Sequence, residues 1–540
     1  MICVENKTIG EVFDEAVDRY GKNIFLMVPA ADGREYHPAG YSITYEQASR
    51  EVAQYEKALC SSGYGHGHRV AVLIENRPEY LLLKIAFNKL GISCVPVNPD
   101  YLSAEIAYLL KDSGVDLAIV AKSLHSRLNA GLMESGRSLP VVIFEEMSFE
   151  FPQAISPIPQ EGSVSLETEA SLIYTSGTTG NPKGCRIGHE SELLVGQWYA
   201  TSGGRISFEI GKERLLNPLP LFHTNGSIFS FFCIMITGNC QILLERFSRR
   251  SWWPTVRESG ATCIHYLGAI IPVLMSEPVN PEYRNHCVKF GVGAGVEPVL
   301  HSRFEERFGF PLIEIWGMTE FTRILTDSEE PRKVGTRAIG RSKPGLEVRV
   351  VDDNDRDVAL GDAGELLVRH SAETPRKGAF MGYLNKLEET EDAWRGGWFH
   401  SGDLVRQDES GMLYFVDRKK NVIRRSGENI AAAEVEACIQ ECSSVAQVAV
   451  MSVEDEIRDE EVFACIVLKK KCLSDETTAK GIFDHCLSRL AYYKSPGWIR
   501  FMAELPVTGT QKVLKRKIFD GDEDPRVMPG TFDFRALKVR

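Results

Sequence analysis

Tyr174-Thr175-Ser176-Gly177-Thr178-Thr179-Gly180-Asn181-Pro182-Lys183-Gly184 follows directly on an apolar, strand-like run that begins at Ala170. Hydroxyls, glycines and one lysine are crowded into a single turn. Such a turn is suited to wrapping backbone N–H groups, hydroxyls and an ammonium around a chain of phosphates. The spacing is not G-x-x-x-x-G-K-[ST], so this is not the loop of a P-loop NTPase.

Around this loop, short β-branched runs alternate with helical patterns through the first 400 residues. Residues 69–74 read as a buried strand, 78–90 as a helix, 92–97 as a strand, 103–113 as a helix and 117–120 as a strand. Strands separated by helices imply parallel sheets covered on both faces. Residues 151–165, rich in proline and polar groups, read as a linker. Beyond residue 420 the elements shorten: a helix near 434–440, strands at 447–451 and 462–468, and a helix over 475–491. They suffice for a small α+β domain. The acidic, then proline- and glycine-containing tail carries no recognisable function.

A chain of 540 residues is too long for one core, and 43% hydrophobic with 25% charged residues is ordinary for a globular enzyme. The net charge of -12 argues against nucleic acid or an anionic membrane as the main partner. None of the 13 cysteines forms C-x-x-C or pairs with histidine at zinc spacing. Cys438 and Cys442, four apart on an expected helix, are a weak metal signal, and reduced thiols of a cytoplasmic protein are the expectation. The N-terminus lacks a basic-then-apolar signal. The most apolar stretch, 228–237, is too short to span a bilayer and reads as buried core.

Further motifs carry chemistry. In Ile313-Glu314-Ile315-Trp316-Gly317-Met318-Thr319-Glu320 the indole can stack on adenine, Glu314 can accept from an amino group, and Glu320 offers a hard oxygen ligand for Mg2+. Gly291-Val292-Gly293-Ala294-Gly295 lacks bulk and admits a flat ring against backbone. Asp403, in Gly397-Trp398-Phe399-His400-Ser401-Gly402-Asp403, can accept from two hydroxyls. Lys512, after Leu505-Pro506-Val507-Thr508-Gly509-Thr510-Gln511, offers a mobile ammonium. Asp417-Arg418-Lys419-Lys420, Arg424-Arg425-Ser426-Gly427-Glu428 and Pro220-Leu221-Phe222-His223 complete the set.

In this order the motifs resemble the adenylate-forming (ANL) superfamily, the AMP-dependent synthetases and ligases, from about residue 40 to 517. The chain is most similar to its acyl-CoA synthetases, and finer resemblance, at 455–460 and 414–418, is to the crotonobetaine/carnitine-CoA ligase group. The resemblance implies an α/β fold: a large N-terminal adenylation domain, 1–419, of parallel-rich sheets covered by helices plus a β-subdomain, a small mobile α+β domain, 420–518, and a tail, 519–540. It implies ATP, Mg2+ and coenzyme A. Thr175, Ser176, Gly177, Thr178, Thr179, Gly180 and Lys183 would cradle phosphates. Gly293, Ala294, Gly295, Glu314, Ile315, Trp316, Gly317, Met318 and Thr319 would hold the nucleotide, with Glu320 and Thr178 at the metal. Asp403 and Arg418 would contact ribose, and Lys420 would be the hinge. Arg424, Ser426, Gly427 and Glu428 would serve CoA. Lys512 would be the catalytic lysine, and His223 the gate of the acyl pocket.

Glycine usually precedes that lysine in the family; Gln511 here departs from the pattern. His223 in place of an aspartate argues against amino-acid substrates. The reaction implied is acyl-AMP formation with loss of pyrophosphate, then transfer to the CoA thiol. Loading of a carrier protein, a luciferase-like oxygenase and nucleotide binding without turnover stay open. So does the acid: carnitine-like, medium-chain, aromatic or polycyclic. Trp198 and Tyr266 are the aromatic candidates for a quaternary ammonium, and Gly226, Ser227, Gly268 and Ala269 the residues leaving room for an acyl group. A homodimer is the default assembly.

Overall fold

The computed structural model describes residues 1–175, 182–425, 428–455, 458–490, 492–507, 513–519 and 523–538, with backbone alone at Lys420, Arg424, Glu428, Asn429, Asp459 and Arg516. Two compact units result: residues 1–347 with 369–399, and residues 348–368 with 400–540.

Two sheets build the first unit. One runs Gly382–Tyr383, Lys183–Gly188, Glu169–Thr175, Ser93–Pro96, Arg69–Leu73, Leu117–Val120, Val141–Ile143 in spatial order. Its pairs are parallel from Glu169–Thr175 onward and antiparallel before it. The other runs Phe321–Thr326, Leu312–Met318, Phe290–Ala294, Cys263–Leu267, Arg214–Asn217, Cys240–Leu243, Ile24–Val28, Tyr41–Thr44, and is antiparallel only at its two ends. The expected strands at 69–74, 92–97 and 117–120 and the helices at 78–90 and 103–113 are all present. Their near-continuous apolar runs are what strands covered on both faces require. The stretch 228–237 is core: helix Ser230–Thr237 is buried on every side.

The strand Phe399–Gln407, which lies in the second unit from His400 onward, pairs antiparallel with Leu413–Arg418. The second unit also holds a six-stranded sheet centred on Asp459–Leu468, covered by helices Ala432–Gln440 and Glu476–Leu487. The helix expected over 475–491 ends at Leu487, and Cys442 lies beyond the end of its helix at Gln440. The expected division at residue 420 falls inside this unit. So does the tail, whose strand Thr531–Asp533 pairs with Trp498–Phe501.

Candidate active site

Strands Glu169–Thr175 and Lys183–Gly188 are antiparallel neighbours, with Thr175 opposite Lys183. They are the two sides of the hairpin that carries 176–181. Ser176, Gly177, Thr178, Thr179 and Gly180 lie outside the described residues, as do Ser426, Gly427, Gln511 and Lys512. The end of the strand pair next to residues 176–181 is tied to helix Ser103–Ser113: Tyr174 donates to Asp112 at 2.7 Å, and Tyr108 donates to the Pro182 carbonyl at 3.0 Å.

Thr319 and Glu320 form the two-residue turn between Leu312–Met318 and Phe321–Thr326, with Met318 opposite Phe321. The turn delivers Glu320 to the edge of the other sheet, where the residue is 8% exposed. Tyr383 donates to Glu320 Oε1 at 3.1 Å. Tyr383 pairs with Cys185 across its strand, and the Cys185 thiol lies 3.8 Å from the Thr175 hydroxyl. Burial, with Glu320 as a further cause, pushes that thiol far above its ordinary pKa. The Lys183 ammonium lies 4.9 Å from the Tyr383 ring centroid and pairs with Glu389, which Lys386 also reaches at 3.1 Å. Thr175, Lys183 and Glu320, far apart in sequence, are therefore gathered on one floor. Tyr383, Cys185 and Glu389 complete it, and no motif pointed to them.

The residues expected on the adenine side also make contacts within the fold. Glu314 is not a free acceptor: Tyr266 donates to it at 2.8 Å, and the amides of Gly295 and Val296 at 2.9 and 3.3 Å. Burial raises its carboxyl pKa even so. Its observed work is to hold the 294–296 turn against its own strand. Trp316 is 5% exposed, part of the wall rather than an open plate. Ile315 packs against the core, while Gly317 is exposed, and Met318 and Thr319 are half-buried. The missing side chains serve the fold: a Cβ on Gly293 would lie 2.3 Å from the Tyr266 carbonyl oxygen, and one on Gly268 1.9 Å from that of Gly295. That removes Gly268 as room for an acyl group. Tyr266 is fully buried and Trp198 donates to the Ile324 carbonyl at 2.8 Å, so the pair builds no aromatic cage. Leu267, Ala294 and Met318 end parallel strands on one side of the sheet, the side where open α/β sheets take ligands.

His223 precedes a π-helical turn, Asn225–Phe229. Its ring is open to solvent, yet the surrounding protein disfavours the charged form and brings its pKa down to about 4. Beneath the turn runs a buried network that the sequence reading missed. His265 meets Asn225 Oδ1 at 2.7 Å and the Tyr199 hydroxyl at 2.9 Å, while Asn217 donates to Asn225 and Ser230 at 3.0 and 2.9 Å. Isolated polar letters inside apolar runs were the only signal.

In the second unit Asp403 and Arg418 face each other across a strand pair, with Arg418 Nε 2.8 Å from Asp403. The two expected ribose contacts are thus bonded to one another. Lys420 lies in the short turn Lys419–Asn421. Asp417 clasps that turn, accepting from Asn421 Nδ2 at 3.2 Å and from the Ala433 amide at 2.8 Å. Arg424 and Glu428 lie on the hairpin strands Val422–Arg425 and Glu428–Ala431. Arg425, from the same stretch of sequence, is buried against Glu461 at 2.7 Å. Among the described residues, no group of three or more His, Cys, Asp or Glu could hold a metal ion, and no helix is long and apolar enough to cross a membrane.

Residues 13–384 match the AMP-binding enzyme family, and residues 434–512 match the AMP-binding enzyme C-terminal domain. The chain belongs to the AMP-binding enzyme family. Among its relatives is the crotonobetaine/carnitine–CoA ligase of Citrobacter koseri, 26% identical over 538 residues, 96% of this chain and 100% of the relative. That of Salmonella paratyphi A is 27% identical over 539 residues, with the same coverage. The Bacillus subtilis O-succinylbenzoate coenzyme A synthetase, solved with ATP and a magnesium ion, superposes with a TM-score of 0.79 at 25% identity, over 94% of this chain and 99% of that one. ATP-bound MatB from Rhodopseudomonas palustris gives 0.79 at 22% identity, over 94% and 98%, a likeness of fold.

Proposed function

We propose that this enzyme is an AMP-forming acid–thiol ligase that makes an acyl-CoA from a carboxylic acid, ATP and CoA. The observation that carries the reading is the floor made by Lys183, Glu320 and Tyr383, where a lysine and a carboxylate from different sheets meet at one tyrosine. An ammonium and a metal-binding carboxylate side by side suit the tail of a triphosphate.

In the first half-reaction a substrate carboxylate oxygen attacks the α-phosphorus. The new O–P bond forms as the bond to pyrophosphate breaks. Lys183 meets the β- and γ-phosphates, displacing Glu389 from its ammonium, with Thr178 and Thr179 beside it. Mg2+ keeps most of its waters and takes one or two carboxylates plus phosphate oxygens, so Glu320 fits it without a dedicated cage. When bound, the ion neutralises phosphate charge. Tyr383 holds the Glu320 carboxylate in place. Lys512 serves the transferring centre. In the second half-reaction the CoA sulfur attacks the acyl carbon and AMP leaves. Lys420 is the proposed pivot between the two steps, and 420–518 the mobile part.

The test is pyrophosphate release over a panel of carboxylic acids, carnitine and crotonobetaine among them, with and without CoA. Release confined to one acid class, with AMP and a thioester formed only when CoA is added, establishes the ligase and names its acid. Release without a thioester shifts the acceptor to a carrier protein, and no release with any acid refutes the reading.

A further inference from the structure

Residues 531–538 pass through the second unit rather than away from it. Phe534 is buried and stacks on Phe483, with ring centroids 5.1 Å apart. Arg535 lies 4.1 Å over the Trp498 ring and pairs with Asp455 at 3.0 Å. Lys538 then ends inside the protein, 4% exposed, its ammonium donating to Glu461 at 2.5 Å and to the Tyr493 carbonyl at 3.0 Å. The other Glu461 oxygen accepts Nε of Arg425 at 2.7 Å. Arg425 closes the strand Val422–Arg425 and faces Glu428 across the ladder. It therefore stands at the turn end of the hairpin that the CoA step is proposed to use, opposite the Val422–Ala431 end.

Three charged groups in a dry place are costly, and removing one strands the others. Space is kept for them: a Cβ on Gly497 would lie 2.4 Å from Glu461 Cγ. The match to the family's C-terminal domain covers residues 434–512, so Glu461 lies within it and Arg425 and Lys538 lie outside. None of the three is needed by the adenylation floor described above.

We propose that residues 523–538 are a positioning element for the thioester-forming step, with Lys538 holding Glu461, and through it Arg425, at the turn end of the 422–431 hairpin. The inference rests on the ligase reading, in which that hairpin serves the CoA half-reaction. Lys538 is enclosed by Glu461 and the Tyr493 carbonyl and acts through them. Its loss therefore acts on one half-reaction and spares the other.

The experiment uses the full chain and two variants, Lys538→Met and Glu461→Gln, each with its melting temperature. Three quantities are measured: pyrophosphate release without CoA, single-turnover transfer from preformed acyl adenylate to CoA, and amide hydrogen exchange over 422–431. The expected result is a fall of about tenfold or more in transfer, the scale of a small misplacement. Exchange in the hairpin should be faster, and adenylation within about twofold of the parent. Unchanged transfer and exchange in both variants overturn the proposal. Equal loss of both half-reactions, or a unit that no longer folds in either variant, overturns it in favour of a tail that only stabilises. A parent enzyme that releases no pyrophosphate with any acid refutes the ligase reading instead, and exchange over 422–431 then still reports on the bridge.

Discussion

In the proposed reaction Glu389 would compete with phosphate for the Lys183 ammonium, with which it pairs. Glu389→Gln should lower the KM for ATP about fivefold at unchanged kcat, the equivalent of an ion pair worth ~1 kcal/mol; steady-state kinetics in ATP read this directly. Tyr383→Phe removes one donor to Glu320 and should raise the Mg2+ needed for half-maximal pyrophosphate release about fivefold. A Mg2+ titration that leaves the midpoint in place would sink the role given to Tyr383. Thr175, Lys183 and Glu320 were legible because each sits in a contiguous motif. Tyr383 and Glu389 were not, because only the pairing of Tyr383 with Cys185 brings that segment to the floor. Glu314 was legible only in part: a sequence shows that a carboxylate can accept, and hides the two amides and the hydroxyl that bond to it within the fold.

Elements placed the site more through backbone than through side chains. The turn after Cys263–Leu267 and the turn after Phe290–Ala294 touch where Gly268 meets Gly295, with no room for a methyl group. Gly268→Ala should cost about 1–3 kcal/mol, the usual range for overpacking, and raise the KM for ATP by displacing the 294–296 turn. Chemical denaturation together with ATP kinetics checks both halves. The strands and helices of the first sheet were readable from alternating apolar runs, since a strand covered on both faces leaves a solid block of such residues. Strand order was not readable, because it depends on which distant edges meet. The C-terminal helix was drawn too long for a local reason: past Leu487 the chain still offers helix-compatible residues, but the cap is set by Ser488 bonding back to Asp484 and Cys486.

At the scale of the molecule, buried polar groups tie stability to pH. His265 is fully buried among Tyr199, Asn225 and Asn217, all neutral, and burial lowers its pKa to about 3. The unfolded chain takes up a proton near pH 6.5 and the folded chain does not until about 3. Stability from this group is thus complete above pH 6.5 and falls as pH drops toward 3. Between pH 7 and 5 the loss is about 2 kcal/mol, and His265→Gln should remove that much of the difference between urea midpoints at the two pH values. The thiols are distributed to opposite effect. Cys3, Cys60, Cys287 and Cys472 are exposed, whereas Cys185 lies buried against the catalytic floor with its thiolate form strongly disfavoured. Only the thiolate reacts readily with peroxide or alkylating agents. Such reagents will mark the outer cysteines first, and the enzyme will carry a record of oxidative exposure on its surface while its turnover is still intact.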